Sequence, residues 1–352
     1  MRRAYFFIQR SLIGYSSAMK QLRAQLWNNI FTCDINRYTK GLWRRMEDFS
    51  TLLLGETGTG KSLAAAAIGR SGYIPFDLKK SCFKDNFATA FVSRNLSQYS
   101  EQLIESELFG HLKGAFTGAI KSHQGIFTLC SPHGAIFLDE IGDTTIPIQI
   151  KLLQVLQERI FSPVGSLEEK HFFGRVIAAT NRPLDKMRRD GTFRNDFYFK
   201  LSSDIIQIPS LRKRIAESPH ELTLLIDFLL TRIIGHRDKN LTKTVQQIIT
   251  TRLGRDYPWN GNVRELEQCT RQVLLNNSCS VDQDSGQTTS TGHSVHQAID
   301  AGEMNVTELT AHYCSVLYRK HTTYQAVSRI TGLDWRTVKR YLEMAEKNKE
   351  QV

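Results

Sequence analysis

The sequence predicts an α/β core with a parallel sheet, a small helical lid and a C-terminal all-α helix-turn-helix domain. Three observations predict it. From Phe49 to about Pro209, short apolar runs alternate with segments of helical periodicity, the pattern of strands joined through crossover helices. Gly55-Glu56-Thr57-Gly58-Thr59-Gly60-Lys61-Ser62 fits G-x-x-x-x-G-K-[ST] between an apolar run and an alanine-rich segment, which is the P-loop arrangement. Beyond Leu211 the apolar positions recur at helical spacing instead.

In chain order, Leu12-Ile13-Gly14-Tyr15 and Ala18-Met19 lead into the core. Almost nothing stands upstream, so no sensory domain is expected there. Residues 49–54 read as the strand before the P-loop, and 61–68, with Ala64 to Ala67, as the helix after it. Residues 72–90, carrying Lys79, Lys80, Lys84 and Asp85, read as a surface insertion. Residues 135–138 and 176–179 read as two further buried strands, completing an α/β nucleotide-binding region over 1–210. In 211–275, Leu222, Leu225, Ile226, Phe228, Leu229 and Ile233, then Val245, Ile248 and Leu253, mark lid helices. Residues 276–304, rich in Ser, Thr, Gln and Gly, cannot bury enough apolar surface to fold alone and read as a flexible linker. In 305–352, residues 324–331 form an amphipathic helix stopped by Gly332, and Asp334 is a suitable N-cap for a helix over 335–345.

Bulk properties narrow the function classes. At 352 residues, 41% hydrophobic and 23% charged, the chain has ordinary globular composition. It has no apolar run of about 18 residues, and Met1-Arg2-Arg3-Ala4-Tyr5-Phe6-Phe7-Ile8 is too short for a signal peptide. A cytoplasmic protein without a membrane partner is expected. The six cysteines are scattered without a C-x-x-C pair, which predicts reduced thiols rather than a disulfide frame or zinc site. A net charge of +11 fits a polyanion partner.

The chemistry follows from residue type and spacing. Backbone N–H groups of Gly55 to Ser62 can wrap phosphate oxygens, Lys61 can neutralise them, and the Ser62 hydroxyl can meet Mg²⁺. Asp139-Glu140, at the end of the buried run Ala135-Ile136-Phe137-Leu138, supplies a second Mg²⁺ partner in Asp139. It also supplies a base for water in Glu140. ATP and Mg²⁺ are therefore expected. A nucleotide site does not account for Gly114-Ala115-Phe116-Thr117-Gly118-Ala119, where two glycines flank an apolar tip and a hydroxyl.

That hexapeptide, preceded by Glu105-Ser106-Glu107-Leu108-Phe109-Gly110-His111, resembles the contact loop of the enhancer-binding AAA+ ATPases that remodel RNA polymerase carrying sigma-54. The resemblance runs from about Leu12 to Leu275. It implies that Gly114 to Ala119 meet sigma-54 and that Asn95 holds the catalytic glutamate. Asn181, in Thr180-Asn181, is implied as sensor I, and Arg264, in Gly261-Asn262-Val263-Arg264-Glu265-Leu266, as sensor II. Arg194 and Lys200 are implied as fingers for a neighbour's ATP, and hence a ring, hexameric by resemblance. The C-terminal helices are similar to the Fis-type domain, with Trp335, Arg336, Thr337, Lys339 and Arg340 left to meet upstream enhancer DNA. Three positions depart from the family: Ser62 and Leu112 where glutamate is usual, and Lys200 where arginine is usual. Two rival readings stay open here, another AAA+ remodelling ATPase and a DNA-binding regulator with a weakened ATPase.

Overall fold

A computed structural model describes residues 1–254, 256–279, 305–321 and 323–347. The chain divides into two units, Met1–Ser280 and Val281–Val352.

The first unit is built on five parallel strands in the spatial order Asp204–Gln207, Thr51–Leu54, Arg175–Thr180, Ala135–Asp139 and Phe91–Asn95. All four pairings are parallel, with Leu52 opposite Ala178 and Ile205, and Ile136 opposite Val176 and Val92. The central strands read as unbroken apolar runs because helices cover both faces. Alternate residues then serve different cores. Leu52, Ile136, Leu138, Val176 and Ala178 pack with residues of helices Glu101–Phe109 and Ile146–Glu158. Leu53, Phe137, Ile177 and Ala179 pack with Ser17–Phe31 and the P-loop helix Lys61–Gly69. Buried Ala64, Ala65 and Ala67 let that helix lie close on the sheet. Because every strand runs the same way, their C-terminal ends line one edge, where ligands of open α/β sheets are bound.

The N-terminal residues are more structured than the sequence reading anticipates. Helix Arg2–Ser11 buries Ala4 and Ile8 in the same core as the P-loop helix. Its Phe7 ring lies 5.8 Å from Phe87, and the Arg70 guanidinium sits 5.9 Å over Phe7. Residues 72–90 contain a short antiparallel pair, Phe76–Asp77 with Cys82–Phe83, whose two phenyl rings meet edge to face at 5.2 Å. The insertion is thus tied to the first helix through Phe87.

The lid comprises helices Leu211–Glu217, His220–Ile234, Lys239–Leu253 and Asn262–Asn276. Leu225, Ile226, Leu229, Val245, Ile249, Leu266 and Val273 are buried, so Ile249 rather than its neighbour Ile248 turns inward. Asp238 caps its helix by accepting from the Asn240 and Leu241 amides. The cysteine expectation is corrected here: Cys269 and Cys279 are joined in a disulfide, with Cα atoms 5.2 Å apart. The last lid helix ends on Asn277 in a left-handed conformation, which reverses the chain and returns Cys279 to the helix. Spacing alone could not show this, because the pairing depends on that turn.

In the second unit, helices Val306–His321, Tyr324–Thr331 and Trp335–Lys347 close on Cys314, Leu317, Val327 and Val338. Gly332 takes a left-handed φ of 73° between the last two, and the Asp334 carboxylate accepts from the Arg336 amide. Residues 280–304, most of the stretch read as a linker, lie outside the described residues. No helix among the described residues is long and apolar enough to cross a membrane.

Candidate functional site

The P-loop lies at the C-terminal edge of the sheet and floors a cleft of about 460 Å³. Thr57 to Leu63 line it, together with Asn95, Asp139, Glu140 and Arg264. Gly60 has a φ of 104° and no atom within 4 Å of where a Cβ would stand, so the chain enters the P-loop helix with its backbone open to the cleft. Lys61 is 7% exposed, and its ammonium donates to the Gly55 carbonyl at 3.0 Å and the Glu56 carbonyl at 3.3 Å. Burial pulls the Lys61 ammonium below its usual range, and the Glu140 and Asp139 carboxylates oppose that shift.

The acidic pair meets the P-loop directly. Ser62 Oγ donates to Asp139 Oδ2 at 3.4 Å, across 77 residues of chain. Glu140 is in the left-handed region at φ 54°, costly for a non-glycine residue and concentrated at functional sites. Its Oε2 accepts from the Asn181 amide at 3.4 Å, while the Asn181 side chain donates to Thr57 Oγ1 at 2.8 Å. Asn95 borders the same cleft, but its amide oxygen accepts from the Ser97 amide at 3.0 Å and the Ser97 hydroxyl at 2.8 Å.

Gly114 to Ala119 lie elsewhere, and none of them lines this cleft. They cap a hairpin whose strands, Gly110–His111 and His123–Gln124, follow helix Glu101–Phe109. Gly114 and Gly118 both have positive φ, 83° and 99°. The Gly114 amide donates to Ala119 O at 2.8 Å and the Ala119 amide to Phe116 O at 3.0 Å, which closes the loop on itself. Phe116 is half-buried, its ring 4.9 Å from His111, whereas Thr117 is exposed. An exposed phenylalanine tip is therefore not what forms. The Leu112 amide bonds Val164 O, and the Val164 amide bonds Gly110 O, so the hairpin is braced by the loop before Lys170.

Residues 37–207 match the model of the sigma-54 interaction domain. This stretch of the chain is a sigma-54 interaction domain. The chain is 38% identical over 275 residues to the Nif-specific regulatory protein of Klebsiella pneumoniae, an alignment covering 78% of this chain and 46% of that protein. It is 41% identical over 228 residues to the nitrogen fixation protein VnfA of Azotobacter vinelandii, covering 64% and 40%. Against the transcriptional regulatory protein GlrR of Escherichia coli it is 40% identical over 226 residues, covering 63% and 47%. The chain spans less than half the length of each of these relatives. Among solved structures, NtrX from Brucella abortus in complex with ADP superposes with a TM-score of 0.57 at 20% identity, covering 97% of this chain and 70% of NtrX. That likeness concerns the fold alone, a parallel α/β P-loop core.

In this sigma-54 interaction domain the two finger candidates stand apart from the cleft of their own chain. Arg194 lies just before helix Asn195–Leu201 and pairs with Asp196 through Nε at 3.0 Å and Nη2 at 2.6 Å. That hydrogen-bonded pairing raises the Arg194 guanidinium and lowers the Asp196 carboxyl. Lys200 sits in the last turn of the same helix.

Several cleft residues escape motif reading. Leu225, Phe228 and Arg232 of the second lid helix and Ser11 to Ile13 of the lead-in also line it. Arg232 is held by Glu267 at 2.6 Å. No signal in the sequence marks them, because lid walls need only apolar or cationic character. The lead-in is fastened by a buried pair: Arg214 donates to Glu221 at 2.7 Å and to Ile13 O at 2.6 Å, and Glu221 accepts from the Ser16 amide at 2.7 Å. Gly14 is required there, since a Cβ would stand 2.7 Å from both Arg214 and Glu221.

On the last helix, Trp335, Arg336, Lys339 and Arg340 are exposed and Thr337 is half-buried, while Val338 is buried. The Arg336 guanidinium lies 5.4 Å over the Trp335 ring.

Proposed function

We propose that this chain is a sigma-54-dependent transcriptional activator. In this reading it binds enhancer DNA, assembles as a ring, and couples ATP hydrolysis to the opening of promoter complexes formed by sigma-54 RNA polymerase. One observation carries the proposal. The P-loop, Asp139, Glu140 and Arg264 share one cleft, while the Gly114–Ala119 loop stands on a separate hairpin and lines none of it. Chemistry and partner contact are then distinct surfaces of one motor.

The residues fit the expected groups. Ser62 Oγ and Asp139 Oδ2 at 3.4 Å offer hard oxygen donors suited to Mg²⁺, which keeps several waters and shares phosphate oxygens. Two protein oxygens leave the rest of an octahedral Mg²⁺ shell to phosphate oxygens and water. Mg²⁺, when bound, neutralises phosphate charge. Lys61 and the loop amides bind and orient the polyphosphate, Glu140 takes a proton from water, and Asn181 holds the Glu140 carboxylate beside Thr57. Arg264 and Asn95 border the same space and would report nucleotide state to the lid and to the helix before the loop. Arg194 and Lys200, outside their own cleft, would complete a neighbour's site, which calls for an assembly of subunits, a hexameric ring by resemblance to the family. With no membrane-crossing helix among the described residues, the cytoplasm is the place of action proposed.

Thr117→Ala tests the division between motor and output. Thr117 is exposed and makes no contribution to the cleft, so ATPase activity should stay within about twofold of wild type. Sigma-54 contact and open-complex formation should be lost on the same preparation. Full promoter opening by this variant would reduce the loop to a structural turn and remove the activator reading's main support.

For the DNA surface, Arg336→Ala should weaken enhancer binding by about tenfold. If the guanidinium meets phosphate, the salt dependence of log K should also flatten by about one unit. Unchanged gel-shift affinity at several salt concentrations would take Arg336 out of the interface.

A further inference from the structure

The P-loop motif leaves its second position open, yet this chain places an acid there, in a loop whose task is to receive phosphate. A carboxylate so placed repels the ligand unless its charge is cancelled and its side chain turned away. The structure shows both. Glu56 accepts from Arg212 Nη1 at 2.8 Å and from Arg212 Nη2, and from Asn262 Nδ2 at 3.1 Å. Arg212 lies in the first turn of the lid's first helix, and Asn262 is the first residue of its last.

Asn262 is 0% exposed and sits at a left-handed φ of 53°. Its amide nitrogen also donates to Thr57 O at 3.0 Å, and its oxygen accepts from the Leu211 amide at 2.7 Å. The next residue continues the contact, with the Val263 amide donating to Gly58 O at 3.1 Å. At Gly58 a Cβ would stand 2.1 Å from Gly261 O and 3.0 Å from the Arg264 Cβ. Gly58 is therefore required by the approach of the lid backbone, not only by phosphate. Glu56, Thr57 and Gly58 are each held to the lid.

We propose that Glu56 is a positioning residue that, with Arg212 and Asn262, latches the P-loop to the lid, so that the loop's phosphate-cradling shape and the lid's angle change as one element. The latch sets where Arg264 stands, since Arg264 follows Asn262 by two residues and packs on Gly58. Nucleotide bound to the loop is thereby sensed by the lid through protein contacts as well as through Arg264 itself. Hydrogen bonding to Arg212, and secondarily to Asn262, holds the Glu56 carboxyl below its usual range, so the pair stays ionised through the physiological window. The proposal rests on the nucleotide-binding reading of the cleft.

The test uses the full chain, with ATP and ADP binding followed by a fluorescent analogue alongside kcat and KM. Arg212→Ala and Glu56→Gln should each weaken ATP binding by about 3- to 10-fold, and the double variant should be no worse than the poorer single, because both break one link. Arg212→Lys should recover part of the loss. Thermal midpoints should barely move, since the pair is half-exposed and contributes little to folding. Unchanged ATP affinity and KM in both single variants, or losses that simply add in the double, would overturn the latch. A wild-type chain that binds ATP no better than Lys61→Ala would instead overturn the nucleotide reading itself, and the latch with it.

Discussion

Glu140→Gln should bind ATP as tightly as wild type and hydrolyse it at least ~100-fold more slowly, the usual scale of a lost general base. The substitution preserves size and the contact with the Asn181 amide but removes the lone-pair basicity that a proton needs. Glu140 stands at a left-handed φ of 54° where it opens the turn Ile141–Asp143, a strained placement of the kind that concentrates at functional sites. Lys61→Ala is the contrasting variant. It removes the cation that the loop holds over its own carbonyls, so binding itself should fail. Single-turnover hydrolysis and equilibrium binding, measured on both proteins, separate the roles. Near-normal turnover by Glu140→Gln would take the base role from Glu140.

The second large effect is expected at Arg194. A finger that stabilises charge on the transferred phosphoryl group is worth about 10³-fold or more in rate, and Arg194→Ala should lose most of that. Arg194 is paired with Asp196 and stands outside the cleft of its own chain, so the finger role proposed for it would be played toward a second subunit. Mixing supplies the decisive control. Chains carrying Lys61→Ala have an intact Arg194 but a dead loop, and they should restore part of the activity of Arg194→Ala chains when the two are combined. No restoration on mixing, or unchanged turnover by Arg194→Ala alone, would sink the shared site. At Lys200, which keeps the charge but lacks the planar fork of arginine, Lys200→Arg should preserve or raise the rate.

The motifs that meet at the cleft were legible because they are local. A P-loop, an acidic pair at a strand end and the Thr180-Asn181 step are each contiguous, and each reports a backbone conformation that nearby residues impose. The parallel sheet was legible for a similar reason, since unbroken apolar runs such as Ile136 to Leu138 and Val176 to Ala179 are tolerated only where both faces are covered. The hexapeptide Gly114 to Ala119 was visible as a motif, but the half-burial of Phe116 against His111 was not, because it depends on the hairpin register.

By itself, then, the sequence determined the α/β core, the order of lid and C-terminal helices, and the identity of the phosphate, acid and loop motifs. Tertiary structure alone decided what those motifs touch. Glu56 and Arg212 are separated by 156 residues, and Asn262 and Glu56 by 206, so no local pattern announces the latch. The Cys269–Cys279 bond depends on a left-handed turn at Asn277. The docking of helix Arg2–Ser11 beside Phe87 depends on an insertion with no periodicity of its own. The physical reason is common to the latch and the docked helix. Spacing encodes the conformation of neighbours along the chain, whereas contacts between distant segments are selected by the packing of the whole fold, and only there does an acid in a phosphate loop find its partners.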